Sequence, residues 1–264
     1  MSTSGDTLYS VHDLRVEVSG RTLVKDLSFE VHPGELLAIL GQNGSGKTLT
    51  LHTLAGLRSP AAGRVLLNGR DVSSDSRRET ARALALLPQH VDDIFPATVL
   101  DTAMIGRHPH IARFQWETAE DIAITQGALA AVGLDQMAHR DVLTLSGGER
   151  RRLAIAQVLT QQPDVYLLDE PTNHLDPQHQ LDALRLFRSK ADGGAAVVAT
   201  LHDVNLAVRY ADRCLLLFGD GRWDIGNTGD VLDETRLSEL FATRMEALHW
   251  RDLRLFVASG DVAP

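Results

Sequence analysis

One cysteine in 264 residues, Cys214, excludes any disulfide framework within the chain. It sits in the apolar run Cys214-Leu215-Leu216-Leu217-Phe218, the setting of a small core residue. Long apolar runs are also missing: the longest are strand-sized, far short of the ~20 residues that cross a bilayer as a helix. The opening segment Met1-Ser2-Thr3-Ser4-Gly5-Asp6 has neither the basic nor the apolar region of a secretion signal. Positive charge is the scarcer sign. With 26 Lys and Arg against 35 Asp and Glu the net charge is −9, which weighs against nucleic acid as the main partner while leaving room for a local basic patch. Internal repeats, low-complexity tracts and long linkers are absent. These absences point to a cytosolic globular protein. The hydrophobic content of 44% is ordinary for that class, so the chain can bury a sizeable core, as one large α/β domain or as a core with a second lobe.

What the chain does contain is a phosphate-binding loop. Gly41-Gln42-Asn43-Gly44-Ser45-Gly46-Lys47-Thr48 matches G-x-x-x-x-G-K-[ST]. The apolar run Leu36-Leu37-Ala38-Ile39-Leu40 before it reads as a buried strand, and Leu49, Leu51, Leu54 and Leu57 after it recur at helical spacing. Nucleotide phosphates require many N–H donors within a small concavity. Glycines let the backbone approach that closely, and the following helix adds its positive N-terminal end. Lys47 is placed to reach the β- and γ-phosphates and the Thr48 hydroxyl to coordinate Mg²⁺.

Residues 8–40 alternate apolar and polar positions, broken at Ser19-Gly20 and His32-Pro33-Gly34, and predict antiparallel sheet leading into the loop. Arg64-Val65-Leu66-Leu67 with Asn68-Gly69 predicts a strand and a tight turn. Residues 97–160 read as mostly helical, with Ile122, Leu129 and Val132 on one face and helix formers from Glu149 to Leu159. Three apolar runs follow, at 165–168, 195–199 and 214–218. Helical segments separate them, as in a parallel sheet built from βαβ units. The tail carries a turn at Gly219-Asp220-Gly221 and a helical pattern from Asp233 to Leu240.

The strand Val165-Tyr166-Leu167-Leu168 ends in Asp169-Glu170. Parallel strands deliver chemical groups at their C-terminal edge, beside the phosphate loop. Asp169 there suits the Mg²⁺ shell, directly or through water, and Glu170 suits polarising the water that attacks the γ-phosphate. Some twenty residues upstream, Leu145-Ser146-Gly147-Gly148-Glu149 opens a helix, making Ser146, Gly147 and Gly148 a second anion-binding N-terminus. Arg150, Arg151 and Arg152 follow on different helix faces and are expected to form a solvated, partly salt-bridged surface.

The segment from Leu145 resembles the signature of ATP-binding-cassette (ABC) ATPases, and the resemblance runs from about residue 8 to 250 with the motifs in order. It implies an α/β fold: a phosphate-loop NTPase core with a mostly parallel sheet (residues 8–90 and 160–230), an N-terminal antiparallel β subdomain, a helical signature subdomain (91–159) and a tail (231–264). ATP and Mg²⁺ are the implied cofactors. Gln89 matches the glutamine that contacts Mg²⁺ and the attacking water, and His202 the switch histidine that bonds the γ-phosphate. Asp176, in Asn173-His174-Leu175-Asp176, matches the carboxylate that touches the site of the other subunit. Two copies would close head to tail, each phosphate loop facing the Ser146-Gly147-Gly148 segment of the other. The remaining ten histidines have no such role, and His52, His108, His110, His174 and His179 are not spaced as a metal site. One departure stands out. The family places an adenine-stacking aromatic near the end of the first strand, where this chain has Val18; the nearest aromatic, Tyr9, comes too early.

Thr98-Val99-Leu100-Asp101, Ile105-Gly106-Arg107-His108-Pro109-His110 and Leu201-His202-Asp203-Val204-Asn205-Leu206-Ala207 resemble cassettes of importers for ferric siderophores, haem and cobalamin, with cobalamin the favoured cargo. The implied partners are integral-membrane permease subunits, a second copy of the chain and, indirectly, a periplasmic or surface substrate-binding protein, with no nucleic acid. The implied location is peripheral, on the cytoplasmic face of the inner membrane. Residues around 89–110 would receive a permease helix, while Phe95, Pro96 and Val99 equally suit packing within the helical lobe. The alternatives are a soluble ABC ATPase acting on ribosomes or DNA, an exporter cassette and a non-hydrolytic module. A single cassette, the short span 90–145 and the presence of Glu170, Gln89 and His202 weigh against these.

Overall fold

The computed structural model describes residues 7–74, 76–90, 96–112, 114–251 and 253–259. Period-two patterning pairs Tyr9–Val18 (β1) with Arg21–Val31 (β2) as an antiparallel hairpin. The wholly apolar Leu36–Leu40 (β3) runs instead into the phosphate loop and Lys47–Leu54 (α1). Ala62–Leu67 (β4) and Arg70–Asp71 (β5) turn about Asn68-Gly69, whose φ angles of 50° and 76° suit a tight hairpin turn. Together β2-β1-β4-β5 form a four-stranded antiparallel sheet. Arg77–Ala83 (α2) and Leu84–Leu87 (β6) lead to three mutually packed helices, Val99–Met104 (α3), Ala119–Ala131 (α4) and Gly147–Gln161 (α5). The chain then alternates Val165–Leu168 (β7), Pro177–Asp192 (α6), Ala196–Thr200 (β8), Val204–Tyr210 (α7) and Arg213–Leu217 (β9). Trp223–Asn227 (β10), two short helices, Thr228–Val231 (α8) and Glu234–Phe241 (α9), and a hairpin of Met245–Trp250 (β11) with Leu253–Ala258 (β12) complete it.

The central sheet has the order β10-β9-β3-β8-β7-β6, parallel except for β10. Both faces of its middle are covered, so β3, β6 and β7 carry no charged residue. Successive residues serve different cores: Leu36, Ala38 and Leu40 pack with the helices, while Leu37 and Ile39 pack with α1 and the antiparallel sheet. Cys214 is fully buried on the helical side, and burial pushes its thiol up to about 11. This α/β architecture, with an antiparallel β layer and a helical lobe, is the one expected.

The buried face of α4 differs from the one its apolar spacing predicts. Ile122 is 39% exposed, and the inward positions near the helix start are Asp121 and Thr125. Arg107, itself buried, donates to Asp121 at 2.8 Å, and the Thr125 hydroxyl donates to the Asp121 carbonyl, also at 2.8 Å. A polar stripe satisfied by its own partners carries no hydrophobic signature. The β11–β12 hairpin was likewise not anticipated. It is held to α7 by Asn205, whose amide donates to the Phe256 carbonyl at 3.0 Å and accepts the Phe256 N–H at 2.8 Å.

The Asp121 carboxyl is lowered from 3.8 to about 2, first by the Thr118 N–H, then by Arg107 and the Thr118 hydroxyl. A depressed folded-state value stabilises above the ordinary carboxylate range and is lost as pH falls through it. Acid unfolding followed by circular dichroism should therefore show stability lost between pH 3.8 and about 2. Asp121→Asn should lower the melting temperature at neutral pH and flatten that slope; an unchanged slope would refute the assignment.

Candidate nucleotide-binding site

The phosphate loop is a tight fit that only its glycines allow. A Cβ on Gly41 would stand 2.5 Å from Ser45 Oγ and 2.6 Å from the Leu217 carbonyl oxygen. Gly46, at φ 101°, turns the chain into α1, and any Cβ there would meet the Leu23 side chain. Lys47 is buried beneath the loop, its ammonium donating to the carbonyls of Gly41 (2.7 Å) and Gln42 (3.1 Å). Burial lowers its pKa, opposed by the carboxylates of Glu170 and Asp169.

An open cleft of about 600 Å³ brings Lys47 and Thr48 together with Gln89, Glu170 and His202. Glu170 is the hub. Its Oε1 accepts from His202 Nε2 at 2.5 Å, and its Oε2 accepts from Gln89 Nε2 at 2.7 Å and from the Asn173 amide. The carboxylate is thus held at the end of β7 by three donors from three different segments. The Glu170 backbone sits at φ 48°, a left-handed conformation that a glutamate keeps only when its surroundings impose it.

Asp169 is completely buried. Its Oδ1 accepts from the Thr200 hydroxyl at 2.7 Å, whereas Oδ2 has no protein partner. An unsatisfied buried carboxylate oxygen beside the phosphate loop fits a hard divalent cation, and the oxygen donors of Thr48, Gln89 and Asp169 suit Mg²⁺. Among the described residues no group of three or more His, Cys, Asp or Glu side chains is placed to hold a metal ion. Thr200 escaped the sequence reading. Its hydroxyl also accepts the Glu170 N–H at 2.8 Å, so one side chain orients both acids. A threonine at the end of an apolar strand gives no pattern by which to find it.

Ser146, Gly147, Gly148 and Asp176 do not line this cleft. Ser146 caps α5 in a reciprocal box with Glu149, and a Cβ on Gly147 would meet nothing within 4 Å. Asp176 caps α6 and bonds the His179 ring at 2.8 Å, with 60% of its side chain exposed. Hydrogen bonding by the His179 N–H and ring lowers its pKa.

The arginine reading requires correction. Arg151 is buried, not solvated, and donates to the carbonyls of Pro88, Asp169 and Glu170. Arg152 donates to the carbonyls of Val132 and Gly133. Charge periodicity gives no warning of this, because backbone carbonyls rather than acidic side chains take up the donors. Val18 and Leu23 supply an apolar wall to the cleft, and Tyr9 is committed to the core, its hydroxyl donating to the Leu54 carbonyl.

Fold and cleft together define a phosphate-loop nucleotide-binding protein with two acids at the adjoining strand end. The chain belongs to the ABC transporter family, whose model matches residues 24–173. It is 40% identical over 237 residues to the cobalamin import ATP-binding protein BtuD of Halobacterium salinarum (strain ATCC 29341 / DSM 671 / R1), covering 89% of this chain and 59% of that protein. It thus spans under two thirds of that relative's length. It is 42% identical over 215 residues to the hemin import ATP-binding protein HmuV of Pseudomonas entomophila, covering 80% and 83%. A metal-chelate type ABC transporter solved in an inward-facing conformation superposes with a TM-score of 0.84 at 29% identity, covering 97% and 98%.

Lys47→Ala should weaken nucleotide binding by about tenfold or more, because a buried charge-assisted contact to phosphate is lost. If a base rests on the apolar wall of Val18 and Leu23, neither side chain can read its edge, so GTP should displace ATP with a Kd within about fivefold. Competition titration with a fluorescent nucleotide checks both, and strong selectivity for adenine would contradict the second.

Proposed function

We propose that this chain is the ATP-binding and ATP-hydrolysing subunit of a membrane importer for a metal chelate. The observation that carries the hydrolytic half is the Glu170 hub, which stands in one cleft with Lys47 and Thr48. Residues 41–48 cradle the phosphates through backbone N–H groups, and Lys47 neutralises the β- and γ-oxygens. Thr48, Asp169 and Gln89 would hold Mg²⁺, which supplies charge neutralisation at the transferred phosphoryl group. Glu170 orients and polarises the attacking water, and His202 donates toward the γ-phosphate. A carboxylate already hydrogen-bonded on both oxygens is preorganised for this task.

The exposed Asp176 and the helix start at Ser146-Gly147-Gly148 support completion of each site by a second copy, head to tail. ATP would favour the closed pair and its hydrolysis would release it, a population shift with a chemical reset. Permease subunits would convert that cycle into transport, with a substrate-binding protein acting on them indirectly and no nucleic acid involved. Among the described residues no helix is long and apolar enough to cross a membrane, which is compatible with a peripheral place on the cytoplasmic face. Residues 89–110 would line the permease groove, although Phe95 lies outside the described residues. The import names of the relatives favour a chelate over the exporter and the soluble readings, with cobalamin the first candidate and haem or a ferric siderophore next.

Glu170→Gln should bind ATP, accumulate as a closed dimer on size-exclusion chromatography and lose turnover by about a hundredfold or more. Full turnover in that variant would overturn the role of Glu170. Purification of the tagged chain from solubilised host membranes should recover a many-helix permease in equal amount. Recovery only with ribosomes or DNA would refute import and leave the ATPase in place.

A further inference from the structure

Arg151 is a buried cation that the roles above leave without a task. It lies on α5, which Ser146 caps, and is 5% exposed. Its guanidinium donates to the Pro88 carbonyl at 2.6 Å, the Asp169 carbonyl at 2.6 Å and the Glu170 carbonyl at 2.8 Å, with longer contacts to those of Gln89 and Pro171, both 3.4 Å. These oxygens belong to the segments leaving β6 and β7, which present Gln89 and Glu170. A buried charge is costly unless its donors are satisfied. Here a planar fork of N–H groups meets carbonyls from two strands at once, a geometry that a lysine ammonium reproduces only in part. Burial lowers the Arg151 pKa to about 10, opposed by Asp169 and Glu170, so the group stays charged at neutral pH.

The consequence concerns the strained peptide. Glu170 holds φ 48° with its N–H bonded to Thr200 on the sheet and its carbonyl bonded to Arg151 on the helical lobe. We propose that Arg151 is a positioning residue for hydrolysis, tying the helix that begins at Ser146 to the backbone beneath Gln89 and Glu170. Seating of that helix start against nucleotide and aiming of Glu170 at water then become one mechanical event. This rests on the hydrolytic reading given above.

The test compares the full-length chain with Arg151→Met and Arg151→Lys, measuring steady-state ATP hydrolysis, thermal melting and backbone amide exchange. Arg151→Met should lower kcat by about tenfold or more with KM within about threefold, and Arg151→Lys should recover part of the loss. Amide exchange should quicken at Gln89, His90, Asp169, Glu170, Thr172 and Asn173 but not across the phosphate loop. Retention of kcat within about twofold, or a parallel loss of kcat, nucleotide affinity and melting temperature, would overturn the proposal. Should the unmodified chain bind ATP without hydrolysing it, the hydrolytic reading fails. The exchange pattern would then still decide whether Arg151 positions those segments.

Discussion

Two adjacent carboxylates at the end of a buried strand repel each other and resist leaving water. The chain retains them by bonding the peptide between them and both side chains from several directions. The Thr200 hydroxyl serves as donor to Asp169 and acceptor from the Glu170 N–H, and Arg151 takes up the two carbonyls. Gln89, Asn173 and His202 then close on the Glu170 carboxylate. Segments far apart in sequence thereby converge on one residue. Any displacement of β6, β8 or α5 relative to β7 is felt at Glu170.

The fold was legible where a single physical signal dominated. Period-two patterning announced β1 and β2, unbroken apolar runs announced the parallel strands, and Asn68-Gly69 announced its turn. The candidate site was legible where chemistry demands fixed spacing, as in residues 41–48 or the acidic pair after β7. It was hidden where function is carried by ordinary residues in three-dimensional company. Thr200 looks like any strand-end threonine, and the donors of Arg151 are met by backbone carbonyls, which have no letter in the sequence. Asp121 and Thr125 replaced Ile122 on the inner face of α4 for the same reason: partners 14 to 21 residues away satisfy them.

The starts of α5 and α6 contrast with the surroundings of Glu170. Around Glu170 nearly every polar atom is engaged within the chain, whereas Asp176 is largely exposed and Gly147 meets open space. Internally bonded and exposed groups are thus separated on the surface. One region is satisfied by bonds within the chain, and the other is exposed.

The tie between Asn205 and Phe256 has a temporal side. A growing polypeptide exposes β3, the phosphate loop and α1 early, but β3 pairs with β8 and β9, so its place in the sheet waits for Arg213–Leu217. The helix following His202 meets its Phe256 anchor only after some fifty further residues have been joined, since the two partners are 51 positions apart. During synthesis the strands beside the phosphate loop are therefore complete before α7 gains this anchor.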